Sequence, residues 1–366
     1  MSVEQGMRRS WAPDWATHPG THLAEYIETK GWSQAEFARI ADLTPKLIST
    51  IVSGKNPVTP DTAIKLERVS GLGAQVWLNL QTNWDLYQAR AQEQARASSP
   101  SIKTWLNNFP LRELTARGVI PTSRDDKEIF ESLLAFLGVG SPDAFDAKFA
   151  SLAVHHRQAK SSTTSNYSIF AWLKIGEMRA RQRQLPPFDL SKFQAAVKTI
   201  RTLTVERAEV FEPKMTSLCA ASGVALILEP ALPNASLFGS THWIGDDRAI
   251  IQMSLRMKSN DHFWWTFFHE AAHVILHRGC TFVDESGQDG DDREQEANSW
   301  TEETLVGRER FTEFKSSRRS YSATDVQTFA KAVGIHPGIV VGMLQHARLV
   351  PFNQLNGLKA KFIWKN

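Results

Sequence analysis

The run His269-Glu270-Ala271-Ala272-His273 offers two imidazoles four residues apart, with a carboxylate directly after the first. On a helix that spacing sets both imidazoles on one face, about 5–6 Å apart at Cβ, a span that one Zn²⁺ can bridge. Glu270 is turned about 100° away from His269. Its carboxylate therefore reaches a water on the metal without entering the coordination sphere. A hydrolytic zinc keeps three protein ligands and one water, whose pKa falls to about 7. The third ligand has to come from another segment. An acidic helix expected after the loop from Gly279 to Gly290 is the best source, because Glu294, Ala297, Asn298 and Thr301 share one of its faces. Glu294 is the first choice and Glu296 the fallback. Asn298, one turn beyond Glu294, is placed to hydrogen-bond a ligand imidazole and fix its tautomer.

A chance match to three fixed residues in a chain of this length arises on the order of a few times in a hundred. The flanking residues lower that further. Phe263-Trp264-Trp265-Thr266-Phe267-Phe268 lead into the motif and Val274-Ile275-Leu276 follow it, so the helix is apolar nearly all round and predicted to be buried. Two histidines and a glutamate there would each carry a desolvation cost of a few kcal/mol without a metal or a paired network. His277 continues the stripe and reads as a packed or hydrogen-bonded residue rather than a fourth ligand. Cys280 reads as a small apolar filler.

The elements around the motif follow from periodicity and punctuation. Val224 to Leu228, Ser236 to Ile244 and Ala249 to Met253 are short, β-branched and apolar, separated by Pro, Asn, Gly and Asp, and read as a small sheet. Helices are expected from Asp261 to His277, from Asp292 to Leu305, and twice between Ala323 and Leu349. The region from Trp105 to Phe211 reads as mostly helical, broken at 138–142, 161–166 and Pro186-Pro187. Its arginines Arg179, Arg181 and Arg183 read as a solvated helix face rather than a nucleic-acid surface.

At the other end, four helices between His18 and Gly71 are marked by local chemistry. Thr21 is taken to cap the first, and Ser33 with Glu36 forms a capping box for the second. Thr44-Pro45 and Thr59-Pro60 open the third and fourth. A fifth is expected from Ala74 to about Ala95. The second and third form a helix-turn-helix, whose second helix would lie in the DNA major groove. Lys46, Ser49, Thr50 and Ser53 are its expected exposed donors, with Leu47, Ile48 and Ile51 buried. Gln34 and Lys55 are placed to meet phosphates.

The chain has 366 residues, enough for two or three domains. The expected organisation is α+β and predominantly helical: an N-terminal tail over 1–17, a five-helix helix-turn-helix domain over 18–96, a helical middle region over 102–210, and a zincin-like domain over 211–366. Ala97 to Ser101 reads as the first linker. Two cysteines exclude a disulfide framework or a cysteine-based zinc knuckle, so a metal must lean on His and carboxylates. No apolar run approaches a membrane span and no secretory leader is apparent, so a cytoplasmic protein without membrane contact is expected. The net charge of +3 is compatible with nucleic acid without demanding it.

Val224 to Leu305 resembles the ImmA/IrrE family of zinc metallopeptidases, carried by the sheet, His269 to His277 and the acidic run from Glu294 to Trp300. The resemblance implies a gluzincin-like endopeptidase in which His269, His273 and Glu294 bind Zn²⁺ and Glu270 is the general base. Ala271-Ala272 stands where Leu-Gly is commoner, and Trp300 where Phe is usual. His18-Pro19-Gly20, Ser33 to Ala38, Ser53-Gly54-Lys55, Thr59 to Ala63 and Trp77 to Gln81 resemble a HigA-type antitoxin of the Cro/repressor class. That resemblance implies a homodimeric repressor of a palindromic operator and a HigB-like toxin as partner. Together they imply a regulator that cleaves a protein partner or itself. The alternative is a non-proteolytic repressor whose metallopeptidase-like domain only binds a toxin or signal.

Overall fold

The computed structural model describes residues 15–97, 100–155, 165–285, 292–317 and 320–364. The tail expected over 1–17 lies outside these up to residue 14, as do parts of the expected loops at 161–166 and 279–290. The fold is predominantly helical with one small sheet, and it divides into two compact units, one ending at Lys103 and one starting at Thr104.

The first unit carries α1 (Pro19–Thr29), α2 (Gln34–Ile40), α3 (Pro45–Val52), α4 (Pro60–Ser70) and α5 (Ala74–Ala97). Their starts follow side-chain chemistry. Ser33 and Glu36 form a complete capping box, and Thr44 and Thr59 accept from the backbone N–H groups of Leu47 and Thr62. The cap of α1 differs from expectation. His18, not Thr21, stands at its N-cap, with Nδ1 accepting from Gly20 N at 2.9 Å. A ring nitrogen there does the work of a hydroxyl, and the helix opens at Pro19.

Leu23, Phe37, Ile48, Ile51, Leu66 and Trp77 fill the core of this unit. A Cβ on Gly20 would lie 1.9 Å from the Ile51 carbonyl oxygen, so α1 approaches α3 as closely as it does only with glycine there. Gly20→Ala is therefore expected to destabilise the unit by about 1–3 kcal/mol or more. Hydrogen exchange of the α1 and α3 amides in the full chain measures it; unchanged protection would show that the contact yields without cost.

The chain continues through α6 (Pro100–Leu106), within which the two units divide, α7 (Leu111–Ala116), α8 (Asp126–Leu137), α9 (Pro142–His155), α10 (Asn166–Arg181), α11 (Leu190–Thr202) and α12 (Ala208–Ala221). The expected middle region and zincin-like domain thus fall in one compact unit. Its sheet holds β1 (Val224–Leu228), β2 (Leu237–Ile244), β3 (Arg248–Met253) and β4 (Phe282–Glu285) in the order β1-β3-β2-β4; β1 and β3 are parallel and the other pairs antiparallel. Around it lie α13 (Asn260–Leu276), α14 (Asp292–Val306), α15 (Arg308–Ser316), α16 (Ala323–Val333) and α17 (Pro337–His346). The strand β4 and the helix α15 were not expected. Only four residues make β4, too few for an alternation to show against the polar residues around it.

The arginines of α10 and the turn after it are half-exposed or exposed, as a solvated face would be, but each has a partner. Arg179 pairs with the buried Glu229 at 2.8 Å and Arg181 with Glu177 at 2.7 Å, while Arg183 donates to the Leu226 carbonyl. Arg117 completes the pairing of Glu229 at 2.7 Å. A buried carboxylate needs such partners, and here they tie the middle helices to the loop after β1.

Candidate metal centre

Helix α13 lies in the core of the second unit, with Phe263, Trp264, Phe267, Phe268, Ala271, Ala272 and Val274 all buried. The small pair Ala271-Ala272 is fully covered. His269, Glu270 and His273 are buried with them, at 4%, 0% and 1% exposure, so each needs a polar partner.

Those of the two histidines come from α14. Glu294 places one oxygen 3.0 Å from His269 Nε2 and the other 3.4 Å from His273 Nε2, and the two Nε2 atoms are 3.1 Å apart. One ligand atom from each of the three residues lies within 4.8 Å of the others, the only such histidine and carboxylate group among the described residues. The edge of a tetrahedron with zinc bonds of about 2.0–2.1 Å is about 3.3 Å, close to all three separations. Burial draws the His273 ring down to about 4, so it is neutral at neutral pH. Burial would raise the Glu294 carboxyl, yet its close contacts with His269 and His273 hold it well below the usual carboxylate range. A neutral imidazole and a carboxylate are the forms that a metal requires. The residues present thus fit a zinc ion.

Asn298 lies where its spacing placed it, with Oδ1 3.1 Å from His269 Nδ1. Glu296 does not join the cluster; it sits 3.0 Å from His277 Nε2. Cys280 is half-buried and accepts from Arg293 at 3.5 Å.

Glu270 stands outside the triad, against the sheet. Thr241 Oγ1 donates to its Oε2 at 2.7 Å, with the Glu270 carbonyl oxygen also at 2.9 Å. A Cβ on Gly239 would lie 2.7 Å from Glu270 Oε1, so β2 makes room for this carboxylate only with glycine at that position. Phe282 of β4 stacks on His273 at 3.8 Å between ring centroids. Sequence reasoning missed Gly239, Thr241 and Phe282. The Thr281-Phe282-Val283 run was the one local signal for β4, and the other two act only through tertiary contact.

In the first unit, Gln34, Lys46, Ser49 and Lys55 are exposed. Thr50 differs from expectation. It is half-buried and its hydroxyl donates to the Leu47 carbonyl at 3.0 Å, so that hydrogen is already used within the helix. Ile48 and Ile51 are fully buried and Leu47 is half-buried.

Residues 23–76 match the helix-turn-helix family model. An uncharacterized HTH-type transcriptional regulator, YddM, of Escherichia coli (strain K12) is 41% identical over 71 residues, 19% of this chain and 76% of the relative. The chain belongs to the helix-turn-helix family. Virulence-associated protein I of Dichelobacter nodosus is 40% identical to this helix-turn-helix protein over 81 residues, 22% of the chain and 75% of the relative. Among solved structures, Pseudomonas aeruginosa antitoxin HigA with higBA promoter is 29% identical, with 24% of this chain and 98% of that chain covered and a TM-score of 0.22. The family match ends at residue 76, far before the triad. Among the described residues no helix is long and apolar enough to cross a membrane.

Proposed function

We propose that this helix-turn-helix protein is a DNA-binding regulator whose second unit is a zinc-dependent endopeptidase of the ImmA/IrrE type, cleaving a protein partner or the chain itself. The observation that carries the enzymatic part is the convergence of His269, His273 and Glu294, with Glu270 seated beside them in the core.

Zn²⁺, when held by these three side chains, would supply Lewis-acid polarisation of the scissile carbonyl and a more acidic water. Glu270 is the general base. Thr241 fixes one of its oxygens, and Gly239 admits the carboxylate against β2, so the group is held in one orientation. It takes the proton of the attacking water and hands it to the leaving amine nitrogen. Asn298 orients the His269 ring. Cleavage of candidate partners by the purified chain, with and without chelator, tests the proposal.

The first unit binds operator DNA as a homodimer, with α3 in the major groove and a HigB-like toxin as the partner that its HigA-type relatives suggest. Lys46 and Ser49 on α3 face outward for base contacts, Gln34 and Lys55 meet phosphates, and Thr50 offers its methyl group and oxygen rather than its hydroxyl hydrogen. Lys46→Ala is expected to cost about 1–3 kcal/mol on the preferred sequence and to relax preference at one position. Gln34→Ala should weaken all sequences about equally. Anisotropy titrations at stated salt measure both; unchanged affinity and preference in both variants would remove α3 from the interface.

A further inference from the structure

The polar stripe of α13 continues past His273 to His277, one turn on. His277 is buried, and its Nδ1 lies 3.0 Å from Nδ1 of His273. Its other nitrogen, Nε2, lies 3.0 Å from Oε2 of Glu296, whose side chain is 69% exposed.

The order of these contacts places the hydrogens. A carboxylate oxygen accepts, so Nε2 of His277 carries the hydrogen in the bond to Glu296. On a ring with one hydrogen, Nδ1 then keeps its lone pair and can only accept. The hydrogen between the two rings therefore belongs to Nδ1 of His273, and Nε2 of His273 turns its lone pair toward His269 and Glu294.

We propose that His277 and Glu296 form an arm that locks His273 in its Nδ1–H tautomer, which makes His277 a positioning residue for the metal centre and not a fourth ligand. The inference rests on the metal-centre reading given above. It also gives α14 a threefold task. Glu294 supplies a ligand, Asn298 orients His269 directly, and Glu296 orients His273 through His277. Phe282, stacked on His273 and 5.3 Å from the His277 ring, holds the plane of the arm. A displacement of α14 would thus release the third ligand and both orienting groups together.

The test uses the full chain as wild type, His277→Leu, His277→Asn and Glu296→Leu. Zinc affinity is read by competition with a chromophoric chelator, and the His273 tautomer by long-range ¹H–¹⁵N NMR of the metal-free, histidine-labelled protein. His277→Leu should bind zinc about 10–100-fold more weakly and lose the Nδ1–H preference. His277→Asn, whose amide oxygen can take the same hydrogen, should recover most of both. Glu296→Leu changes an exposed side chain, keeps the fold, and should shift His273 toward a mixture of tautomers with weaker zinc binding.

Wild-type affinity in a folded His277→Leu chain overturns the arm, as does an Nε2–H tautomer of His273 in the wild type. If His277→Leu does not fold, Glu296→Leu and the wild-type spectrum decide. Absence of zinc binding in the wild type would instead refute the metal-centre reading, and the metal-free spectrum would still decide the tautomer.

Discussion

Glu270→Gln is expected to lower peptidase turnover by about 10²–10⁴-fold while zinc content stays at the wild-type level. The substitution keeps the size of the side chain, and its amide oxygen still accepts from Thr241 Oγ1, so the group remains where β2 seats it. Only the ability to take a proton is lost. DNA binding should be untouched, because α3 lies in the other compact unit. Cellular derepression, where it proceeds by cleavage, should vanish in the same variant. A full regulatory response from zinc-loaded Glu270→Gln protein would mean that the second unit works by binding a toxin or signal, and the peptidase assignment would fall.

Metal removal should produce the second large effect. A ligand that binds only the folded state stabilises it by about 2.7–4.1 kcal/mol at free concentrations 100 to 1,000 times its Kd. For a unit of this size that corresponds to a rise in Tm of roughly 5–16 °C on adding zinc, reversed by a chelator. The physical source is the triad itself, two buried imidazoles and a half-buried carboxylate whose mutual contacts at 3.0–3.4 Å are better satisfied around a cation than by one another. The shift should be confined to the second unit, which calorimetry resolves from the first. Equal Tm values in zinc and in chelator would mean that the cluster is stable as a hydrogen-bonded network and holds no metal.

The parts of this arrangement that could be read in the sequence are those governed by local geometry. A spacing of four put His269 and His273 on one face, and the same rule put Asn298 one turn beyond Glu294, where it meets His269. The choice of Glu294 over Glu296 rested on which residues share a face of α14, and the two glutamates do diverge, one to the triad and the other to His277. The caps Ser33, Thr44 and Thr59 were equally legible, since a hydroxyl before a helix has one neighbour to satisfy.

Contacts between distant segments left no such mark. Gly239 and Thr241 sit in an ordinary strand, and their role exists only once β2 lies against α13. His18 as the cap of α1 escaped because imidazole is outside the usual capping set, and Gly20 because its need is set by Ile51, far along the chain. The pairing of Arg179 escaped for the same reason, its partner Glu229 being 50 residues away by number and beside it in space.

The most direct test of the central claim is a zinc titration of the metal-free full chain in competition with a chromophoric chelator, run beside Glu294→Ala and Glu296→Ala. One zinc per chain should bind the wild type. Glu294→Ala should weaken it by more than the roughly 10–100-fold that loss of an orienting group costs, and Glu296→Ala by no more than that. No zinc uptake by the wild type, or wild-type affinity in Glu294→Ala, would contradict a metal centre built on His269, His273 and Glu294.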